Sequence, residues 1–146
     1  MCHMCGRSEF ARAHSVFPKA AMSDRPSSMT VVVTGASTGI GAACALDCAG
    51  RGMTLFAGVR GPRAGEALAA KGGPSLIPIT LDVTDEPSIS RSVGVVQQAV
   101  GEAGLGGLVN NAGIAIGSPL ELIPLSQLRK QFEVNEIGRA SCRERV

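Results

Sequence analysis

Short apolar runs alternate with longer amphipathic stretches along most of the chain. Four runs are rich in Val, Ile or Leu, namely TVVVT at 30–34, TLFAGV at 54–59, SLIPITLDV at 75–83 and GGLVNNAG at 106–113. Continuous apolar runs of this length are typical of strands that are buried on both faces. The pattern therefore predicts four buried strands.

The stretches between these runs have helical spacing. They predict helices at residues 39–50, 63–71 and 86–103, and a fourth helix after the last strand. A helix between consecutive strands is the usual crossover connection of a parallel sheet. The alternation therefore predicts an α/β fold, a doubly wound parallel sheet with helices on both faces, truncated after strand four.

Capping residues mark the starts of two of these helices. Thr84 or Asp85 is expected to cap the third helix, and Pro87 suits its first turn. The fourth helix is expected to begin near Leu125, with Ser126 as its capping candidate.

The first 29 residues show neither helical nor strand periodicity and predict a disordered leader. Translation from Met22 would leave a short leader, so residues 1–21 are interpreted as a mis-assigned start. An alternative is a metal-binding leader, since thiolate and imidazole groups suit zinc, although their spacing matches no closed motif. The side chains concerned are Cys2, His3, Cys5 and His14.

The last eleven residues, EIGRASCRERV at 136–146, break the apolar spacing of the preceding helix. The segment back-translates into a sequence that resembles a widely used sequencing-adapter oligonucleotide read in frame. Residues 136–146 are therefore expected to be a non-native tail, and Gly138 and Cys142 are set aside with it.

Composition narrows the classes of partner. The net charge of +2 is too small and too dispersed for a nucleic-acid surface, and no apolar stretch approaches the length of a membrane span. Five cysteines without regular spacing indicate reduced thiols, and Cys44 and Cys48 on one helix face are expected to pack against the sheet rather than to react. The expected location is the cytoplasm.

A glycine-rich loop, TGASTGIG at 34–41, joins the first strand to the first helix. Gly35 permits a sharp turn, Gly39 lets the backbone approach a pyrophosphate, and Gly41 allows close packing of the helix on the strand. A helix N-terminus also offers free N–H groups to an anion. This position in the chain predicts a Rossmann-type dinucleotide site.

Three motifs in order resemble the short-chain dehydrogenase/reductase family, over residues 30–135. The loop resembles the family's Thr-Gly-x-x-x-Gly-x-Gly signature, Asp82-Val83 resembles the pair that contacts the adenine, and NNAG resembles the motif that lines the cofactor ribose. The cofactor-binding residues that the resemblance implies are Gly35, Ser37, Thr38, Gly39, Ile40, Gly41, Asp82, Val83, Asn111, Ala112 and Gly113. Asn135 falls at the family's proton-relay asparagine, which is the catalytic position implied for this chain.

Cofactor preference is read after the second strand, in FAGVRGPR. No carboxylate stands there to bond a ribose 2′-hydroxyl, whereas Arg60 or Arg63 would pair with a 2′-phosphate. NADP is therefore favoured over NAD, with Arg60 as the binding residue. The alternative is that both arginines only line a solvated loop.

The resemblance implies hydride transfer between nicotinamide and a carbonyl or alcohol substrate, in a homo-dimer or homo-tetramer. It also implies a catalytic Ser and a Tyr-x-x-x-Lys pair, yet the chain contains no tyrosine. The expectation is an inactive N-terminal fragment of an NAD(P)-dependent oxidoreductase whose substrate cannot be read. The alternative is a non-catalytic nucleotide-binding sensor on the same fold.

Overall fold

A computed structural model describes residues 29–145. Its centre is one sheet of four parallel strands, flanked by helices. The strands are β1 (Thr30–Val33), β2 (Thr54–Val59), β3 (Leu76–Thr80) and β4 (Gly107–Val109). The helices are α1 (Gly39–Gly50), α2 (Pro62–Gly72), α3 (Glu86–Val100), α4 (Leu125–Phe132) and α5 (Gly138–Arg145). The leader residues 1–28 and the proposed zinc ligands lie outside the described residues.

The strands lie in the order β3-β2-β1-β4, and every pairing is parallel. The chain therefore moves outward from β1 to β3 and then returns past β1 to β4, which places a change of direction between β1 and β4. In open α/β sheets, ligands bind beyond the carboxyl ends of the strands at such a point. The predicted Rossmann-like α/β fold is confirmed.

Alternate residues of the central strands pack on opposite faces of the sheet. Val31, Val33 and Leu55 belong to a core with Ala45 of α1 and Leu68 of α2. On the other face the core is made of Val32, Phe56, Ile79 and Val96, the last of which lies in α3. Both faces are thus covered, which explains why β1 and β2 are nearly continuous apolar runs. Cys44 and Cys48 are free thiols that pack against the first core.

Both α3 and α4 begin where the sequence predicts, but the predicted cap is present only in α3. Asp85 caps α3, because its Oδ2 accepts a hydrogen bond from the Ser88 amide at 3.0 Å, and Pro87 lies in the first turn. In α4, however, Ser126 is inside the helix, and Pro124 occupies the cap position without a side-chain bond. Pro124 precedes the helix in an extended conformation, with φ of −57° and ψ of 134°, and its carbonyl oxygen accepts hydrogen bonds from the amides of Gln127 and Leu128.

The chain continues as a helix beyond α4 into residues 136–145. A π-helical turn at Glu133–Ile137 joins α4 to α5. Gly138 lies so close to Val83 that a Cβ there would be 2.7 Å from the Val83 carbonyl oxygen, and Cys142 is buried against Leu81. The sequence pattern gave no reason to expect that residues 136–145 pack on the fold. They can do so because Gly138 and Cys142 are small enough for these close contacts. The proposed non-native origin of the segment stays a prediction.

The two edges of the sheet differ. β3 carries Pro78, which removes one N–H donor and is tolerated because edge strands are paired on one side only. β4 has no proline, and its Gly107–Val109 pair only with β1 in the described part of the chain. Within residues 29–145, every helix is too short or too polar to span a lipid bilayer.

Candidate dinucleotide-binding site

A cavity of about 880 Å³ opens at the carboxyl ends of the strands. It is bounded by the glycine-rich loop on one side and by α4 on the other. Its lining residues are Gly35, Ser37, Thr38, Ile40, Gly58, Arg60, Leu81, Asp82, Val83, Thr84, Asn111, Ala112, Gly113, Ile114, Ser126, Arg129, Lys130, Glu133 and Val134. The cavity is therefore where parallel-sheet geometry and the motifs predict a ligand.

The glycine-rich loop turns sharply because Gly35 adopts a positive φ of 65°. A Cβ at Gly35 would also lie 2.7 Å from the Cα of Ala112, so the loop touches the NNAG segment directly. A Cβ at Gly41 would overlap the Asn111 side chain and come within 2.5 Å of the Gly35 carbonyl oxygen. These two glycines are required for contact between loop, helix and strand, as the sequence analysis expected of Gly35 and Gly41.

The N-terminus of α1 faces solvent without a side-chain cap. Thr38 occupies the cap position in an extended conformation and makes no capping hydrogen bond. The exposed Ile40 follows in the first turn, with 82% of its surface accessible. Uncapped N–H groups at a helix N-terminus attract an anion such as a phosphate.

Thr34 connects the glycine-rich loop to the end of β4. Its hydroxyl oxygen accepts hydrogen bonds from the amides of Asn111 at 3.0 Å and Ala112 at 2.9 Å. In return, the Asn111 side-chain nitrogen donates to the carbonyl oxygens of Thr34 at 3.0 Å and Gly35 at 3.1 Å. Asn111 thus lines the cavity while its amide group braces the loop, and Thr34, which is 1% exposed, is the centre of this network.

Asp82 lies on the cavity wall just beyond β3, and its side chain is held by one neighbour. Its Oδ1 accepts hydrogen bonds from the Thr84 amide at 2.9 Å and the Thr84 hydroxyl at 2.7 Å. These two bonds, with a smaller contribution from the charge of Arg60, keep the pKa of the Asp82 carboxyl below its usual value. Asp82 is therefore ionised and ready to accept a hydrogen bond at neutral pH.

Positive side chains from two parts of the chain line the cavity. Arg60 lines it directly after β2, whereas Arg63 lies in the first turn of α2 and is not among the lining residues. Arg129 and Lys130 line it from α4, accompanied by Glu133. The structure thus separates Arg60 from Arg63, the two alternatives left open above.

Asn135 lies in the π-helical turn and does not line the cavity. Its Oδ1 accepts a hydrogen bond from the Ile114 amide, and its Nδ2 donates to the Ile114 carbonyl oxygen, both at 2.9 Å. One turn earlier, Gln131 Oε1 accepts from the Ile116 amide at 2.8 Å. Residues 125–137, which comprise α4 and the π-helical turn and are called the α4 segment below, therefore bind the backbone that follows β4. Single-turn π-helical segments often occur at functional sites.

The structure brings most of the predicted residues to one place. Ten of the twelve predicted cofactor-binding residues line the cavity, and the other two, Gly39 and Gly41, lie in the first turn of α1. Roles at this site for Thr34, Thr84, Gln131 and the α4 residues that line the cavity were not predicted from the sequence. The Asp-x-Thr spacing was a usable signal for Thr84, because an Asp side chain commonly bonds the backbone two residues on. The α4 contacts carry no such local signal.

The donor and acceptor groups fit a dinucleotide better than a metal ion. An uncapped helix N-terminus and Arg60 suit phosphates, and the Asp82 carboxylate suits an exocyclic amine. Among residues 29–145, no group of three or more His, Cys, Asp or Glu side chains is placed to hold a metal ion.

Comparison with known proteins identifies similar chains. A family model described as short chain dehydrogenase matches residues 29–146. An NADPH-dependent 3-dehydrocapnine reductase from Ornithobacterium rhinotracheale is 36% identical over 104 residues, which cover 71% of this chain and 37% of that protein. Retinol dehydrogenase 5 from Homo sapiens is 35% identical over 109 residues, which cover 74% of this chain and 34% of that protein.

Solved structures agree with the sequence comparison. A short-chain dehydrogenase from Streptomyces avermitilis superposes with a TM-score of 0.75 at 30% identity, over 84% of this chain and 44% of that one. The chain thus spans just over a third of the length of the curated relatives it matches, at 37% and 34% for the two described.

Proposed function

The chain belongs to the short-chain dehydrogenase/reductase family, and we propose that it forms the dinucleotide-binding half of an NAD(P)-dependent oxidoreductase. The substrate of the whole protein is proposed to be a small alcohol or carbonyl compound, in keeping with relatives that are named as reductases and dehydrogenases.

One observation carries the proposal. The uncapped N-terminus of α1, Arg60 and the ionised Asp82 all meet one cavity at the carboxyl ends of β1, β2 and β3. A pyrophosphate at the helix N-terminus and an adenosine near Asp82 would satisfy these groups together. A single phosphate would leave Asp82 without a role.

The residues of this chain have distinct proposed tasks. A nicotinamide dinucleotide supplies or accepts a hydride when it is bound. Ser37, Thr38 and Ile40 border its phosphates, Asp82 and Val83 its adenine, and Asn111, Ala112 and Gly113 its ribose. Asn135 holds the backbone of Ile114 beside that site, which is how it would support a proton relay.

NADP is the proposed preferred cofactor, with NAD as the alternative. Arg60 is the basic side chain that lines the cavity at the end of β2, and the sequence after β2 offers no carboxylate to bind a 2′-hydroxyl. One relative is named as NADPH-dependent, which supports the same choice for this chain.

The test is a fluorescence titration of the full chain with NADPH and with NADH. We expect tighter binding of NADPH. Arg60→Ala should weaken NADPH binding about tenfold and leave NADH binding nearly unchanged, which is the lower range for a charged hydrogen bond at an exposed position.

Arg63→Ala is the matched control, because it removes an arginine from the same segment but not from the cavity. Equal losses for the two variants would contradict the assignment of Arg60. Failure of the unsubstituted chain to bind either dinucleotide would contradict the proposed function.

We propose that residues 30–135 bind the dinucleotide without turnover. The chain contains no tyrosine, so the family's Tyr-x-x-x-Lys pair is not among its residues. A nucleotide-binding sensor is the second candidate function, and the absence of tyrosine from the sequence also favours it. The assembly into dimers or tetramers, the cytoplasmic location, the leader at residues 1–29 and the non-native tail at residues 136–146 stay predictions.

A further inference from the structure

Two side-chain amides of the α4 segment take the place of a neighbouring strand. Asn135 exchanges two hydrogen bonds with the backbone of Ile114, and Gln131 accepts one from the amide of Ile116. Residues 114 and 116 are two apart, so in an extended chain their amides point to the same side. The α4 segment therefore accepts hydrogen bonds from two alternate amides, those of Ile114 and Ile116, in the backbone that follows β4.

The two amides reach this segment from one face of the helix. Gln131 and Asn135 are four residues apart, and residues at that spacing are neighbours on a helix surface. Gln131 is half-buried and does not line the cavity. The backbone segment to which it is hydrogen-bonded does line the cavity, through Gly113 and Ile114.

Gln131 acts on the same piece of backbone as Asn135, at its far end. With Asn135 alone, the segment would be held at Ile114 and free to turn beyond it. The additional hydrogen bond at Ile116 fixes the direction in which Gly113 and Ile114 present their backbone to the cavity. No motif in the sequence marks Gln131 for this role.

We propose that Gln131 is a positioning residue, which holds the wall formed by Gly113 and Ile114 in the conformation that binds the dinucleotide. The inference rests on the proposed function for its cofactor and on the 2.8 Å hydrogen bond for its mechanism. It assigns to α4 a part in cofactor binding through backbone alignment rather than through contact.

The experiment compares Gln131→Met with Gln131→Glu in the full chain. Methionine has a similar length but lacks a strong acceptor, whereas a carboxylate keeps the acceptor for the Ile116 amide. Two quantities are measured, hydrogen exchange at the Ile116 amide and the NADPH dissociation constant. We expect Gln131→Met to raise both about two- to tenfold, the range for one lost hydrogen bond, and Gln131→Glu to keep the Ile116 amide protected.

Exchange at Val32 and Phe56 in the core strands serves as an internal control for folding. Faster exchange at Ile116 with unchanged core protection and weaker NADPH binding supports the inference. Unchanged exchange at Ile116 in Gln131→Met, or faster exchange with unchanged NADPH affinity, overturns it. If the unsubstituted chain binds no dinucleotide, the proposed function fails, and the role of Gln131 in cofactor binding fails with it. The exchange rates then still decide whether Gln131 holds the segment.

Discussion

At the scale of single residues, the cavity depends on side chains whose ionisation and orientation are set by their neighbours. Asp82 is the clearest case, because the amide and the hydroxyl of Thr84 both donate to the same carboxylate oxygen. These bonds exist only in the folded chain. The pKa of Asp82 is therefore lower in the folded state than in the unfolded state, where it has the ordinary value of about 3.9.

This difference predicts a pH-dependent contribution of Asp82 to stability. A lowered folded-state pKa stabilises the fold above the unfolded pKa, and the contribution is lost as the pH falls through the folded pKa. Thr84→Val removes the hydroxyl bond and keeps the amide bond. We expect it to raise the pKa of Asp82, measured by NMR titration of the carboxyl carbon, and to lower the free energy of unfolding at pH 7 more than at pH 3.

Thr84→Ser is the matched control, because it keeps the hydroxyl donor. Its Asp82 titration should resemble that of the unsubstituted chain. An Asp82 pKa that is identical in Thr84→Val and the unsubstituted chain would show that the hydroxyl bond has no influence on ionisation.

The predictability of site residues follows the range of their interactions. Gly35 and Gly41 were placed from sequence because a sharp turn and a helix start are local features. The roles of Thr34 and Gln131 were not predicted, since their partners are 78 and 15 residues away along the chain. Hydrogen bonds of that range depend on how the elements pack, which a single sequence does not display.

At the scale of elements, the Thr34 hydroxyl joins the end of β1 to the end of β4. Both strands stop at this point, and the hydroxyl accepts from the Asn111 and Ala112 amides, of which the Asn111 amide also donates to the Val109 carbonyl oxygen. Because Thr34 is buried, water cannot replace it. The Thr34 hydroxyl and the Asn111 side chain therefore together hold the glycine-rich loop against the NNAG segment.

Thr34→Val is expected to lower the free energy of unfolding by about 1–3 kcal/mol, because it takes from the Ala112 amide the acceptor that the buried Thr34 hydroxyl provides. Urea denaturation measures this change, and hydrogen exchange at the Ala112 amide locates it. Thr34→Ser keeps the hydroxyl and loses one methyl group, so it should leave the Ala112 amide protected. Equal exchange rates at the Ala112 amide in the two variants would show that the Thr34 hydroxyl does not protect this amide.

The strands and the first three helices could be predicted because each carries its own pattern. β1 and β2 are continuous apolar runs, and α3 has both an Asp cap and an early proline. The start of α4 near Leu125 was predicted as well, whereas its cap and its extension into α5 were not. The buried contacts of Gly138 and Cys142 involve small residues, which produce no visible apolar periodicity.

At the scale of the whole molecule, apolar surface is concentrated between residues 120 and 137. The exposed large apolar side chains of this segment are Leu120, Leu122, Leu125, Phe132 and Ile137. Nearby, the Oδ1 atom of Asn110 after β4 is buried and makes no hydrogen bond within the described residues. Exposed apolar groups and an unpaired strand edge both favour association between chains.

We therefore expect the chain to associate as its concentration rises, measured by light scattering during size-exclusion chromatography. Leu122→Glu should reduce this association. Val95→Glu adds the same charge and removes an exposed apolar side chain from α3, outside the segment, so it should have little effect. A monomeric unsubstituted chain with a cooperative melt would contradict the prediction, as would equal effects of the two substitutions.

The π-helical turn at Glu133–Ile137 sets the rotational phase between two helices with different neighbours. Before it, Gln131 faces the segment after β4, and after it, Gly138 and Cys142 face Val83 and Leu81. Losing one residue from the turn would rotate α5 by about 100° relative to α4. The number of residues in this turn thus keeps both contacts in place at the same time.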